Sequence, residues 1–99
     1  MTRYELRPQA EADLAEIWRF TAKRWNAEQA DKYYRNIVDA LAKVAEQPSL
    51  GRACDNVRKG YLRYNVASHV LFYRLEADHL DVVRILHARR EFRRLLPKR

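Results

Sequence analysis

The stretch that decides the fold is "YLRYNVASHVLFYRLEADHLDVVRIL", residues 61–86. It contains three runs rich in Tyr, Val, Ile, Leu and Phe, at 61–66, 69–76 and 79–86, and such runs favour β-strands. Only two residues separate each run from the next, "AS" at 67–68 and "AD" at 77–78. Connectors this short join antiparallel neighbours. The stretch therefore predicts a three-stranded antiparallel meander.

The segment before the meander predicts two helices. Apolar residues recur at helical spacing over 10–24, and Pro8 just before them suits the first turn of a helix. Asn26 is a good N-cap for a second helix that reaches about Glu46. The apolar stripes are Leu14, Ile17, Trp18 and Thr21 in the first helix and Ala30, Tyr33, Ile37, Leu41, Val44 and Ala45 in the second. A link of about two residues predicts an antiparallel helical hairpin.

The remaining segments complete an α+β fold. "RYELR" (3–7) alternates apolar and polar residues and predicts a short N-terminal strand. "QPSLGRACDN" (47–56) has no period and predicts a loop. "REFRRLL" (90–96) places Phe92, Leu95 and Leu96 on one side of a short C-terminal helix. An antiparallel sheet with the hairpin packed on one face is the expected architecture, and residues 1–99 are expected to form a single domain.

Composition narrows the class of protein. The chain has 99 residues, 47 % of them hydrophobic, and only two glycines, which argues against disorder. The single cysteine, Cys54, cannot form an internal disulfide, which fits a reducing compartment. "MTRYELRPQAEADL" has no apolar signal region, and the uncharged stretch 64–73 has only ten residues, too few to span a membrane. We therefore expect a cytoplasmic protein that does not enter a membrane.

The excess positive charge is concentrated at the C-terminal end. Residues 82–99 contain seven Lys or Arg and one Glu, a net charge of +6, whereas the whole chain carries +7. A segment of this kind predicts an acidic partner. Direct nucleic-acid binding stays open as a further possibility, although these arginines are not interleaved with the aromatic residues that single-strand binders use for stacking.

Arg84 interrupts "VVRIL" (82–86), a run that is otherwise apolar on both faces. A buried cation without a partner is costly, so Arg84 must have an acidic partner or reach a surface in contact with water. One alternative is an internal salt bridge. The other is that Arg84 joins His87, Arg89 and Arg90 in one basic surface.

The order and spacing of several segments resemble the ParE toxins of the RelE/ParE superfamily of bacterial toxin–antitoxin modules. The segments that carry the resemblance are "LRPQAEADLAEIW" (6–18), "WNAEQADKYY" (25–34), "ALAKVAEQPSLGR" (40–52), "VRKGYLRY" (57–64), "HVLFYRLE" (69–76) and "VVRILHARREF" (82–92). The resemblance covers nearly the whole chain. It implies a cytoplasmic toxin with a sheet-plus-hairpin fold and a ParD-like antitoxin as its partner. It also implies that the toxin poisons DNA gyrase without catalysing a reaction.

RelE-like members of the superfamily are instead ribosome-dependent endoribonucleases that cut mRNA. They use lysines on the first meander strand, arginines on the next strand and after the last, and a tyrosine near the C-terminus. Here the first strand has Arg63 and no lysine, His69 and Val70 stand where the next arginine would fall, and "RRLLPKR" has no tyrosine. Only Arg90 matches, so we expect no enzymatic activity. The ribonuclease alternative would rely on Arg63, His87 and Arg90.

Two candidate surfaces follow from the charge and the resemblance. The surface for toxicity and target binding is expected at Arg84, His87, Arg89, Arg90, Arg93 and Arg94. A groove for an amphipathic antitoxin helix is expected on the hairpin at Trp18, Trp25, Tyr33 and Tyr34. We expect no catalytic residue, cofactor or metal site, because no His, Cys or acidic spacing is typical of metal ligands and no Gly-rich phosphate loop is present.

Overall fold

The computed structural model describes residues 3–97. Lys98 and Arg99, two of the cations counted in the basic segment, lie outside the described residues. In chain order the elements are β1 (Tyr4–Leu6), α1 (Pro8–Arg24), α2 (Ala27–Glu46), β2 (Arg52–Ala53), β3 (Leu62–Val66), β4 (His69–Leu75), β5 (Leu80–His87) and α3 (Phe92–Leu95), with a 3-10 turn at Pro48–Leu50. The predicted α+β order of strand, helical hairpin, meander and short last helix is confirmed.

The strands form one five-stranded sheet in the order β1-β5-β4-β3-β2. β3, β4 and β5 pair antiparallel, as the two-residue connectors predict. β1 lies parallel to β5, with Tyr4 opposite Leu80. A parallel pair needs a long crossover connection, and the chain between these two strands provides it. The sheet therefore places the first strand of the chain beside the last one.

The prediction of a plain loop at 47–56 is wrong in one detail. Arg52 and Ala53 form β2, which pairs antiparallel with Arg63 and Leu62 at the edge of the sheet. A strand of two residues is too short to show the alternation of polar and apolar side chains on which strand prediction depends. This strand exists because β3 supplies its hydrogen-bonding partners.

The helical hairpin has the predicted cap. Asn26 Oδ1 accepts a hydrogen bond from the backbone N–H of Gln29 at 2.7 Å, which satisfies one of the free donors at the start of α2. Only Trp25 and Asn26 separate the two helices. The first helix begins at Pro8, two residues before the predicted start, because proline is well suited to the first helical position.

Apolar side chains pack on both faces of the sheet. The hairpin covers one face, with a buried cluster of Ala10, Leu14, Ile17, Ile37, Ala40, Leu41, Val44, Leu71, Tyr73, Leu80, Val82 and Ile85. The loop 54–61 and α3 cover the other, with Cys54, Tyr61, Val70, Phe72, Val83, Leu86 and Leu96 buried and Val57, Phe92 and Leu95 packed against them. The apolar side of the last helix therefore docks on the sheet face opposite the hairpin.

A β-bulge lies in β5 beside the arginine that interrupts its apolar run. Phe72 pairs with Arg84, whereas the next residue, Tyr73, pairs with Val82, so Val83 is an extra residue in β5. A bulge bends its strand and changes the direction of the side chains beside it. The bulge allows an arginine to occupy a central strand that contributes apolar residues to both faces.

Candidate functional site

The exit of β5 and the helix α3 present a basic surface. His87, Arg89, Arg90, Arg93 and Arg94 are all exposed, and we call these five residues the tail surface. The turn after β5 is held by a 3.0 Å hydrogen bond from Arg90 N–H to His87 O and by a 3.2 Å bond from Arg89 N–H to His87 Nδ1. Within residues 3–97 no ion pair joins any of the five to a carboxylate. The tail surface therefore carries uncompensated positive charge.

The loop 54–61 anchors α3 through its side chains and backbone. Arg58 Nη2 donates to Arg93 O at 2.6 Å, and Arg93 Nη2 donates to Asn56 O. The Tyr61 hydroxyl donates to Pro97 O at 2.6 Å. Arg93 is therefore both a cation of the tail surface and part of the contact that holds the tail in place.

Arg84 forms the internal salt bridge that the sequence leaves open as one alternative. Its Nε and Nη2 donate to the two carboxylate oxygens of Asp13 at 2.7 and 2.8 Å, and the two side chains are only 14 % and 13 % exposed. Asp13 also accepts the backbone N–H of Ile85 at 3.0 Å, and Arg84 Nη1 donates to Leu95 O at 3.3 Å. The hydrogen bonds that Arg84 donates to Asp13 raise the pKa of the Arg84 guanidinium. Arg84 thus connects α1, β5 and the tail, and its part in target binding stays a prediction.

A cleft of about 320 Å³ lies between α1 and the ends of β4 and β5. The helix contributes Ile17 and Phe20 to its lining, and the sheet and the following turn contribute His69, His87 and Arg90. The tail surface therefore continues into a partly apolar groove beside the hairpin.

His69 and His87 lie opposite each other on β4 and β5, with ring centroids 5.2 Å apart. The Tyr33 hydroxyl accepts the Ser68 N–H at 3.2 Å, so it donates its own proton to His69 Nδ1 at 2.7 Å. Burial, followed by the charge of His87, lowers the pKa of His69 to about 4. His69 is therefore neutral near pH 7, with its ring proton on Nε2, and acts as a structural acceptor.

The four hairpin aromatics differ in their environments. Trp25 and Tyr34 are exposed, at 66 % and 41 %. Trp18 is half-buried and donates its indole N–H to Asp31 at 2.9 Å. Tyr33 faces the sheet, where it packs against the buried cluster under the hairpin. Of the four, Trp25 and Tyr34 are the most available to a partner, and their binding of an antitoxin stays a prediction.

Two residues of this region were missed by sequence reasoning. Phe20 is 65 % exposed and lines the cleft, and the available signal was a phenylalanine that lies off the apolar stripe of α1. Asp13 is the partner of Arg84, and the sequence contains no signal for that pairing because 71 positions separate the two residues.

The residues of the ribonuclease alternative do not all lie on one face of the sheet. His87 lines the cleft on the hairpin side, and Arg63 is not among the residues of that cleft. The guanidinium carbon of Arg63 instead lies 5.9 and 5.3 Å from the ring centroids of Phe72 and Phe92 on the opposite face. Arg90 follows the end of β5 and borders both the cleft and the surface beside Phe92. Because proton transfer and phosphate stabilisation need their groups in one place, the separation of His87 from Arg63 argues against their use in one reaction.

The described part of the chain has neither a cluster of metal ligands nor a membrane-spanning helix. Between residues 3 and 97, no group of three or more His, Cys, Asp or Glu side chains is placed to hold a metal ion. None of the helices in that range combines the length and the apolar character that a bilayer crossing needs.

A helical hairpin on one face of a five-stranded sheet, with a basic C-terminal segment across the other, places this chain in the fold class of the RelE/ParE toxins. A chain of the solved chromosomal ParDE TA system from P. aeruginosa shares the fold with a TM-score of 0.78, covering 88 % of this chain and 96 % of that chain at 18 % identity. Residues 4–92 match the family model of the ParE toxin of the type II toxin–antitoxin system parDE. The chain belongs to the ParE toxin family.

Two of the curated relatives are named ParE1 and a third, less similar one is named RelE3. The chain is 45 % identical to toxin ParE1 of Mycobacterium tuberculosis, over 96 % of this chain and 98 % of that protein. It is 39 % identical to toxin ParE1 of Caulobacter vibrioides, over 88 % and 90 % of the two chains. Toxin RelE3 of Caulobacter vibrioides is 30 % identical over 89 % of this chain and 96 % of its own length.

Proposed function

We propose that this toxin poisons DNA gyrase without catalysing a reaction of its own and that a ParD-like antitoxin neutralises it in the cytoplasm. Membership of the ParE family supports the toxin assignment. The observation that carries the choice of an acidic target is the tail surface, whose five exposed residues have no carboxylate partner among residues 3–97. Arginine side chains bind carboxylate and phosphate through paired hydrogen bonds, so such a surface suits gyrase or the DNA that gyrase holds.

The proposed mechanism is stabilisation of one state of the target. A ligand shifts a conformational equilibrium by the difference between its affinities for the two states. A toxin bound to the state in which gyrase has cut DNA would raise the population of that state and delay resealing. This needs complementary charge and shape, but no general acid or base. The separation of Arg63 from His87, on opposite faces of the sheet, supports this proposal over the ribonuclease alternative.

The proposed antitoxin contact uses the exposed aromatics of the hairpin. Trp25 and Tyr34 would receive the apolar side of an amphipathic antitoxin helix, with Trp18 and Tyr33 supporting the helices from below. Tyrosine and tryptophan carry large contact areas with few rotatable bonds, which makes them frequent anchors of protein interfaces. An acidic antitoxin would also reduce the charge of the tail surface.

The decisive experiment is inducible expression in a bacterial host, followed through two early readouts. Gyrase poisoning should give double-strand breaks and an SOS response while protein synthesis continues. A ribonuclease should give prompt loss of protein synthesis and cleaved mRNA on ribosomes. The second result, if lost on changing His87 to Ala, would replace the present proposal with the RelE-like alternative.

A variant of the tail surface tests where the target binds. Arg89→Ala, Arg90→Ala and Arg94→Ala remove three exposed charges whose side chains have no hydrogen bond within residues 3–97. Their loss should change stability little, commonly within about 0.5 kcal/mol per site. Toxicity at a matched level of folded protein should fall strongly.

The matched control removes three exposed cations from α2 instead. The control changes are Lys32→Ala, Arg35→Ala and Lys43→Ala, which lower the net charge by the same amount. This variant should stay as toxic as the parent when no antitoxin is present. Equal loss of toxicity in both variants would mean that net charge, and not the tail surface, is what matters.

A further inference from the structure

A row of aligned residues crosses four strands on the sheet face opposite the hairpin. Arg52 on β2 pairs with Arg63 on β3, Arg63 pairs with Phe72 on β4, and Phe72 pairs with Arg84 on β5. Directly opposed residues project from the same face of a sheet. Three arginines therefore share this face, and only Arg84 has an acidic partner within residues 3–97.

The pair Arg52 and Arg63 is unusual for a sheet. Like charges directly opposite each other on neighbouring strands are destabilising, and proteins commonly place an opposite charge there. No carboxylate in the described part of the chain forms an ion pair with Arg52 or Arg63, so their charges are not neutralised in this way. A bound anion would remove this repulsion.

Arg58 and Arg93, which lie outside the row, are connected to it through Phe92. Arg63 lies over the ring of Phe92, at 5.3 Å from its centroid. Arg58 donates to the backbone oxygen of the next residue, Arg93, at 2.6 Å. The Nε atoms of Arg58 and Arg63 are both buried, and neither has a hydrogen-bond partner among residues 3–97. Arg58, Arg63 and Arg93 therefore gather at Phe92, Arg52 lies beside them opposite Arg63, and Arg58 and Arg63 each hold an unsatisfied donor.

The packing restricts these side chains before any ligand binds. Arg63 is stacked against Phe72 and Phe92, and Arg58 is tied to the backbone of the tail. A guanidinium that is already positioned loses less conformational entropy on binding an anion. The structural cost of the cluster and its fixed geometry together indicate a built anion site.

We propose that Arg52, Arg58, Arg63 and Arg93 form a binding site for phosphodiester groups of duplex nucleic acid. A phosphate accepts hydrogen bonds from several directions, which suits donors that reach it from β2, β3, the 54–61 loop and α3, whereas a carboxylate is planar and is satisfied by one or two forks. Duplex is favoured over single strands because Phe72 is buried and the ring of Phe92 is already packed against Arg63 and Phe72, which leaves less aromatic surface for base stacking. The site is independent of gyrase as the target.

The test is fluorescence anisotropy of a labelled, mixed-sequence DNA duplex of roughly 16 base pairs, titrated with the full chain over a salt series. The double variant Arg52→Gln and Arg63→Gln should weaken binding about tenfold or more at low salt. Each lost phosphate contact should reduce the slope of log affinity against log salt by about 0.9. Arg52→Gln alone should weaken binding about threefold, and this exposed residue is expected to leave folding unaffected.

The matched control is Lys32→Gln with Arg35→Gln, two exposed cations of α2 that carry the same charge. It should change the affinity less than twofold. The proposal is overturned if the control weakens binding as much as the double variant, or if the parent chain binds no duplex at low salt. It is also overturned if polyglutamate at equal charge displaces the duplex as well as unlabelled DNA does, because an acidic protein would then be the better partner.

Discussion

Replacing Arg84 with Met should destabilise the protein more than any change in the tail surface. The guanidinium forms two hydrogen bonds to Asp13 and one to Leu95 O, and it connects α1 to β5 and to the tail. Methionine keeps much of the side-chain volume but leaves the carboxylate without its counter-charge. Toxicity per cell should fall with the amount of folded protein.

The magnitude follows from burial. Removing one partner of a buried ion pair costs about 3–5 kcal/mol of unfolding free energy. Both side chains keep a small exposure to solvent, so we expect Arg84→Met to cost about 3 kcal/mol, the lower end of this range. Asp13→Ala should cost about 1 kcal/mol more, because it also leaves the Ile85 N–H without its acceptor. A loss of about 3 kcal/mol corresponds to a fall in Tm of about 12 °C or more for a domain of this size.

Urea unfolding followed by circular dichroism measures the free energies of unfolding of four proteins: the parent, the two single variants and the double variant. The double variant should lose at least about 2 kcal/mol less than the sum of the single losses, since both changes remove the same interaction. Additive losses would show that Asp13 and Arg84 do not stabilise each other. An Arg84→Met variant whose free energy of unfolding lies within about 0.5 kcal/mol of the parent's would refute the reasoning. If that stable variant had also lost toxicity, Arg84 would belong to the target-binding surface.

Three further outcomes are expected. Because the pKa of His69 is lowered to about 4 from its ordinary 6.5, stability present above pH 6.5 should be lost as pH falls toward 4. His69 is only half-buried, so solvent screening should limit this loss to about 1–2 kcal/mol, and His69→Gln should remove it while His79→Gln keeps it. Trp25→Ala with Tyr34→Ala should weaken antitoxin binding measured by calorimetry without changing Tm, and unchanged affinity would place the antitoxin elsewhere. Phe92→Ala should lower the free energy of unfolding by about 3 kcal/mol in urea titrations. A loss within about 0.5 kcal/mol, as expected for an exposed site, would show that α3 is not docked.

The features that the sequence predicted correctly are those written in local patterns. Ile37, Leu41 and Val44 recur at helical spacing, and all three are buried under the hairpin. Asn26 has the side chain that a helix start requires, and it caps α2. The meander was predictable because its strands are neighbours in sequence and their connectors have two residues.

Features that depend on distant partners left no local pattern. The strand β2 exists only through β3, and the salt bridge of Arg84 depends on Asp13 in the first helix. The sequence indicated that Arg84 needed a partner or access to water, because a charge in an apolar strand is costly, but it did not identify Asp13 as that partner. The order of the sheet, with β1 beside β5, likewise depends on the packing of the whole chain.

Side-chain exposure was predicted better for α3 than for the aromatic residues of the hairpin. The spacing of Phe92, Leu95 and Leu96 predicted which side of α3 docks, and Arg93 and Arg94 are exposed as that spacing requires. The hairpin aromatics were predicted by residue type alone, which does not distinguish an exposed ring from one that faces the sheet.

The pairing of β1 with β5 also bears on how the toxin is made. A ribosome releases the chain from its N-terminal end, so Tyr4 emerges long before its partner Leu80. The helical hairpin can form early from local contacts, but its apolar side stays uncovered until the meander follows. Most of a growing chain therefore lacks both the finished sheet and the surfaces built on it. The sheet is completed only when β5 is available to pair with β1, so any surface that needs the finished sheet forms late in synthesis.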